Sequence, residues 1–418
     1  MATSKRGSLK IKKKKPLNHR YTPEEIRKKQ ISSRYRSRVN SNIKSRKRTT
    51  YFDYNFLFVV IFLLCFGLIM LYSTSYYTGI NKFNDSIFYL KKQLRSIIIG
   101  FFAMYFVVRI NYKKLRQYAA GLLVMSTLMC LLVYVPKIGI ERNGSRRWIG
   151  FGSLTVQPSE IAKVCIIIFL AYLLERITKK MSSVAGIVCS LIFIAPILIL
   201  VAKENLSTAI IIAGIAFCMI FVASPLYKEF LGLLGIGGCV MVLFILLGHS
   251  YRGDRIEAWL SPEKAGVKGD QTLQGLYAIC SGGLTGRGLG NSMQKMGRVP
   301  EAQNDMIFSI VCEELGLIGA TCLLLLFLLL IWRMMIISNN ASDLFGSLIV
   351  TGVMAHIALQ VILNVAVVTN TIPNTGVTLP FISYGGTSII ILMAEMGLVL
   401  SVSRGIKLEN NNEVERHE

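Results

Sequence analysis

Residues Val299 to Gly316 read VPEAQNDMIFSIVCEELG, and the apolar run that begins at Met306 continues to residue 335. A helix needs only about 20 such residues to cross hydrocarbon. Four carboxylates mark its start: Glu301 and Asp305 precede the run, and Glu313 and Glu314 interrupt it. A charge in hydrocarbon costs several kcal/mol, so ionisable groups there face a cavity or a partner and mark function. The stretch therefore points to a membrane helix and to where its chemistry lies.

Further apolar runs of membrane-crossing length recur on either side. They fall at 54–73, 95–110, 117–135, 158–175, 184–202, 207–224, 228–248, 345–368 and 384–403, which with 306–335 makes ten. The 418 residues are 53% hydrophobic and 17% charged, with mean hydropathy +0.52. A soluble domain cannot hide that much apolar surface. No run shows the ten-residue alternation of an outer-membrane barrel. The predicted fold is all-α, a polytopic bundle of about ten transmembrane helices with a large extracellular loop, 249–305, between helices seven and eight. Three regions follow: a basic tail (1–50), the membrane domain (51–405) and a polar C-terminal tail (406–418).

Net charge is +24, and residues 1–50 alone carry 18 Lys/Arg against Glu24 and Glu25. That segment has few apolar residues and no period, which predicts disorder. Held inside by the positive-inside rule, it fits a cytoplasmic tail drawn to anionic membrane lipids. A nucleic-acid arm and a protein-docking tail are the alternatives. Ten spans then return the C-terminus to the cytoplasm. Of the outer loops 136–157, 249–305 and 369–383, the first two include basic residues that topology does not require, which suggests an anionic ligand outside. Eight of the nine cysteines lie in spans and act as small hydrophobes, so neither a disulfide framework nor a zinc spacing is present.

Three further stretches carry candidate chemistry. In ERNGSRRWIGFGSLTVQPSEIAK (141–163), Asn143-Gly144 is a turn signal, Trp148 suits the membrane interface, and Pro158 opens a helix. Arg146 and Arg147 can grip phosphate with forked guanidinium groups, and Glu160 and Lys163 share one helix face. Plain interfacial anchoring is the alternative. GRGLGNSMQK (286–295) lacks the strand of a dinucleotide site and reads as a tight turn beside the bundle. NTIPNTGVTLPFISYGGTS (370–388) combines helix breakers with apolar residues. Irregular backbone at membrane depth survives only where protein buries it or water lines it, so a re-entrant loop walling an outward cavity is expected. Asp305 would stand at that cavity as a partly dehydrated carboxylate tuned toward a base, with Glu301 raising its pKa. An ordinary helix N-cap is the alternative. One of Glu313 and Glu314 at least should face the interior, neutralised by a buried Lys or Arg.

The motifs NGSRRWI, QPSEIAK, GLGNSMQK, PEAQNDMIFSIVCEELG and PNTGVTLPFISYGGTS, in that order, resemble the FtsW/RodA/SpoVE (SEDS) family. The resemblance spans nearly all of the chain outside its tails. It implies an inverting peptidoglycan glycosyltransferase that polymerises lipid II on the outer face of a bacterial cytoplasmic membrane beside a class B penicillin-binding transpeptidase. It places the catalytic aspartate, as base or metal ligand, on Asp305, with Mg²⁺ or Mn²⁺ as the divalent cation. Substrate-binding roles are expected for Arg146, Arg147, Glu160, Lys163, Glu301, Ser383, Tyr384, Gly385 and Gly386. Asn143, Trp148, Pro158, Glu313, Glu314 and Pro380 are expected to shape the cavity. GLGNSMQK leans toward the division or sporulation branch, and division at the septum with other divisome proteins is favoured. Nucleic acid is not an expected partner. Lipid II flipping, or a non-catalytic scaffold for the transpeptidase, are the competing activities. The chain departs from many relatives at Gln303-Asn304, at Asn205 and at Thr375; Asn205 is given no catalytic role.

Overall fold

The computed structural model describes residues 51–136, 138–142, 145–151, 154–178, 181, 183–224, 232, 235, 253–263 and 266–406. Eleven helices lie among them: α1 (Tyr54–Phe83), α2 (Phe88–Arg109), α3 (Leu115–Leu132), α4 (Pro158–Arg176), α5 (Val184–Glu204), α6 (Leu206–Ala223), α7 (Gly253–Leu260), α8 (Gly266–Gly282), α9 (Ile307–Asn339), α10 (Leu344–Val368) and α11 (Gly386–Ser403). Nine of the ten predicted runs fall on α1–α6 and α9–α11. The run at 228–248, residues 232 and 235 apart, and the tails 1–50 and 407–418 lie outside the described residues. By length and hydropathy, seven helices among those described can cross a membrane. The two remaining candidates, α2 and α4, carry Lys91, Lys92 and Arg95, and Glu160, Lys163, Glu175 and Arg176. The exact count of ten is therefore not fixed by the described helices, but the chain is a multi-pass helical membrane protein.

Helix ends follow local rules. Asp53 caps α1 through the Phe56 N–H (2.9 Å) and pairs with Arg333 of α9 at 2.6 Å. Asp343 caps α10 through Gly346 N–H and holds Arg116 and Lys113, so the basic segment between α2 and α3 is tied down by ion pairs. α4 opens on Pro158, the position where a missing N–H costs nothing. Helix α2 lies along α11, where Gly100 seats the Met393 side chain and Gly397 meets the Met104 backbone. Small residues at such crossings let membrane helices pack closely.

One segment was not foreseen as regular structure. Residues 139–156 form a three-stranded antiparallel sheet, β1 (Gly139–Arg142), β2 (Ser145–Phe151) and β3 (Leu154–Val156). Arg142 pairs with Ser145, leaving two residues, the Asn143-Gly144 turn signal, between the strands. Its strands are too short to show a clear period of two, so an anchoring loop was the natural reading of the sequence.

The long connection before α9, expected as a large loop, holds α7 and α8. The glycine-rich turn after α8 has a structural task. Helix α9 breaks at Gly316 (φ +67°, ψ −169°), which strands backbone groups inside the bundle. Residues 283–288 repair the break: Arg287 and Gly288 N–H donate to Glu313 and Glu314 carbonyls at 2.9 Å, and Leu317 and Ile318 N–H donate to Gly283 and Leu284. Left unmade, each bond would cost about 1–3 kcal/mol in a buried setting. A Cβ at Gly316 would lie 2.3 Å from Gly286 N, so the two chains can meet only as glycines.

Candidate active site

Asp305 sits in the turn between Val299 and α9. Glu301 there adopts a left-handed conformation (φ +51°) rather than a helical one. Its carbonyl accepts Asn304 N–H (2.8 Å), and its carboxylate accepts Asn304 Nδ2 (3.0 Å). The N-cap of α9 is Met306, with no side-chain capping bond, so the capping alternative for Asp305 does not hold. Its carboxylate instead points across the turn. Oδ1 lies 3.5 Å from Gln271 Nε2 of α8, and a Cβ at Gly376 would come within 3.7 Å of Oδ2. Gly376 has φ +66°, a conformation that favours glycine, and the bare backbone there leaves room beside the carboxylate.

The facing wall is the segment 369–385. Val377, Leu379, Phe381 and Ile382 are buried, and Gly67 of α1 approaches the Phe381 carbonyl too closely to allow a Cβ. Its irregular backbone is satisfied residue by residue. Leu379 N–H donates to Ser383 Oγ (2.8 Å), Tyr384 N–H to the Gln303 carbonyl (2.9 Å), and Gly385 N–H to Gln93 Oε1 (3.2 Å). The break predicted from its glycines and prolines is thus present and covered by protein, and Pro380 lies within it. Ser383 serves the loop's own backbone, while Tyr384 packs edge-on against Tyr89.

Helix α7 closes the third side. Trp259 and Asn370 exchange two hydrogen bonds, Nε1 to the Asn370 carbonyl (3.0 Å) and Nδ2 to the Trp259 carbonyl (3.3 Å). Arg255 donates from Nη1 to the Asn374 carbonyl at 3.2 Å, two residues from Gly376. Burial and the Glu301 charge push the Asp305 carboxyl up to about 6, while Arg255 and nearby backbone N–H groups pull the other way. A carboxyl so placed is ionised at neutral pH yet remains a usable base.

Glu313 and Glu314 are both fully buried. Glu314 pairs with Lys295 (2.6 Å) and accepts from Ser73 of α1 (2.7 Å). Glu313 accepts from Ser292 Oγ and from the Met293 N–H (3.0 Å). Together they pin the 292–295 segment onto α9, upstream of the Asp305 turn. The expected buried cation is Lys295. Glu160 and Lys163 form a buried pair at 2.9 Å, and Ser388 of α11 donates to Glu160 at 3.0 Å. His356 and Glu395 form a second buried pair at 2.8 Å. Arg146 and Arg147 line a different cleft with Tyr134, Ser159, Glu204 and Asn205. Arg146 is exposed there, held by Glu141 (3.3 Å), and its N–H donates to Glu204 (3.0 Å). Trp148 stands in β2 opposite Ile140.

A family model described as cell cycle protein, FtsW/RodA/SpoVE, matches residues 54–408. The chain belongs to the FtsW/RodA/SpoVE family. Stage V sporulation protein E of Bacillus subtilis is 42% identical over 84% of this chain and 97% of that protein. A probable peptidoglycan glycosyltransferase FtsW of Geobacter metallireducens is 36% identical over 88% and 99%. Among solved structures, a chain from a study of polymerisation and crosslinking by a peptidoglycan synthase complex superposes with TM-score 0.73 at 26% identity, covering 86% of this chain and 99% of that one. The rod shape determining protein RodA of Thermus thermophilus superposes with TM-score 0.63 at 25% identity, over 86% and 98%.

Within this FtsW/RodA/SpoVE fold, the sequence located Asp305, Glu301 and the 369–385 wall, and the tertiary structure joins them. It missed Arg255, Gln271, Asn364 and Lys295. A signal existed for Asn364: His356, Gln360 and Asn364 recur every fourth residue on an otherwise apolar span, where polar groups merit suspicion. Arg255 and Gln271 lie in the long loop, with no periodic context to single them out.

Proposed function

We propose that the chain is a peptidoglycan glycosyltransferase that polymerises lipid II at the outer membrane face, with Asp305 as its base. The observation that carries this is a single carboxyl raised to about 6, partly open between the turn, α7, α8 and the 369–385 wall. The relatives named as probable peptidoglycan glycosyltransferases FtsW support the same chemistry.

In this reaction the acceptor 4-hydroxyl oxygen attacks the anomeric carbon of the donor sugar. Asp305 takes the hydroxyl proton as the new glycosidic bond forms. The bond from that carbon to the lipid diphosphate breaks, and the diphosphate leaves with the electron pair. A single displacement inverts the anomeric centre. Such a leaving group requires charge neutralisation more than protonation, and Arg255 is the described cation whose charge reaches Asp305. Glu301 keeps the carboxyl basic by repulsion. Asp305 as ligand of a hydrated Mg²⁺ or Mn²⁺ is the alternative to its role as base, since a bound cation would cancel the repulsion that keeps it basic. Bound there, a divalent ion supplies charge neutralisation to the diphosphate.

The partner in this reading is a class B penicillin-binding transpeptidase, in keeping with the synthase complex among the structural neighbours. The place is the septum of a dividing cell, with both termini cytoplasmic. Flipping of lipid II is the weaker reading: among the described residues, the buried charges Glu160, Lys163, His356 and Glu395 are taken up in two ion pairs. Purified protein with fluorescent lipid II and divalent ion, with and without a partner transpeptidase, tests the proposal. Glycan ladders are expected from the wild type and none from Asp305→Ala. Wild-type ladders from that folded variant would refute the role of Asp305, and label protection in liposomes without ladders would favour flipping.

A further inference from the structure

Asn364 of α10 is fully buried, and its amide faces two carbonyl oxygens from different segments. Nδ2 donates to the Asp305 carbonyl at 2.8 Å and to the Val377 carbonyl at 2.7 Å. Only the NH₂ end of an amide can satisfy two acceptors together, so its orientation is fixed by its neighbours. One group therefore joins the backbone of the proposed base to the backbone of the facing wall. Val377 directly follows Gly376, the residue beside Asp305 Oδ2. A second tie, Tyr384 N–H to the Gln303 carbonyl, joins the same two segments, but it lies two residues from Asp305 and on backbone alone.

The amide oxygen of Asn364 has no hydrogen-bond partner among the described residues. An apolar residue of similar shape would strand both carbonyls, at about 1–3 kcal/mol each, and would cut the link between the turn and the wall. The bridge therefore favours a role in geometry. We infer that Asn364 is a positioning residue, setting the Asp305 carboxylate against the Gly376 wall where acceptor hydroxyl and donor sugar must meet. This inference rests on the reading of Asp305 as the base. Asn364 reaches no substrate; it acts through the backbone of the turn.

The charged groups acting on the Asp305 carboxyl are Glu301 in its own turn and Arg255 of α7, with Gln271 of α8 the neutral neighbour on Oδ1.

The test compares Asn364→Leu with Asn364→Ala, using folded, monodisperse protein, fluorescent lipid II and ladder formation across pH 4.5–8.5 (about half-unit steps). Leucine keeps the volume but excludes any donor. Alanine leaves space for a water, whose two O–H groups can serve the same two carbonyls. The Leu variant should lose about a hundredfold in kcat with KM little changed, the cost of roughly 1 Å of misplacement. The Ala variant should retain more activity than Leu. A role in packing alone predicts the reverse order, since the smaller side chain leaves the larger cavity. If the Leu variant does not fold, a lower kcat with KM little changed in the Ala variant supports the inference, and a wild-type kcat there overturns it. A Leu variant with wild-type kcat, or one at least as active as Ala, overturns it too. Asp305→Ala is run alongside: if it makes polymer, the base assignment fails and takes this inference with it. If it is dead while Asn364→Leu matches wild type, the inference fails alone.

Discussion

Replacing Asp305 by Asn should make the protein inactive and more heat-resistant above pH 6. The carboxyl titrates near 3.8 in an unfolded chain and is pushed up to about 6 in the folded one, by burial first and the Glu301 charge second. The native state therefore holds this proton more tightly. Stability is fullest below about 3.8, declines as pH climbs, and keeps its full deficit above about 6. A tenfold change in proton affinity between the two states is worth about 1.4 kcal/mol, which sets a ceiling of roughly 3 kcal/mol on the deficit. Partial access of water to the carboxylate reduces that to about 1–2 kcal/mol. For a chain this long the gain in Tm on removing the charge should be about 2 °C. The assay is thermal unfolding of detergent-purified wild type and Asp305→Asn at pH 7.5 and again near pH 4. The variant should melt higher at 7.5, and the two should converge near pH 4. Equal melting at 7.5, or a less stable variant there, would refute the claim that this carboxyl is dehydrated and repelled. The result also separates a strained functional group from a structural one, since removing a structural carboxylate lowers stability.

Two other expectations concern the groups around it. Glu301→Gln removes the repelling charge, so the acidic limb of the polymerisation profile should shift below about 6 while the plateau falls as the base weakens; an unmoved limb in a pH–rate series would show that Glu301 does not act on Asp305. Lys295→Met strands Glu314 as a buried, unpaired carboxylate, which should cost about 3–5 kcal/mol, whereas Lys295→Met with Glu314→Leu should recover most of it. Melting curves of the single and double variants check this, and equal destabilisation by both would sink the ion-pair account.

Much of this architecture is legible in the chain because hydrocarbon is an unforgiving solvent. A run such as 345–368 must be a helix, since no other lone segment satisfies its own backbone there. For the same reason Pro373, Gly376, Pro380 and Gly385-Gly386 announced a break that protein has to cover, and Glu313 and Glu314 announced a buried counter-charge. Asp305 stood out as an acid at the mouth of such a span. The small sheet at 139–156 was hidden because strands of three to seven residues carry too little pattern against a basic, turn-rich background.

Composition and local pattern thus determined a multi-pass helical bundle, the positions of most spans, and the acid to suspect. The tertiary structure alone decided which groups surround that acid. Arg255 and Gln271 are 50 and 34 residues from Asp305 in sequence, and Asn364 is 59 residues beyond it. No local spacing relates them. They meet because α7 docks on Asn370, α10 passes behind the turn, and the broken α9 is held in register by residues 283–288. Desolvation and charge at a carboxyl depend on what is within a few ångströms of it, and that is a property of packing rather than of order along the chain.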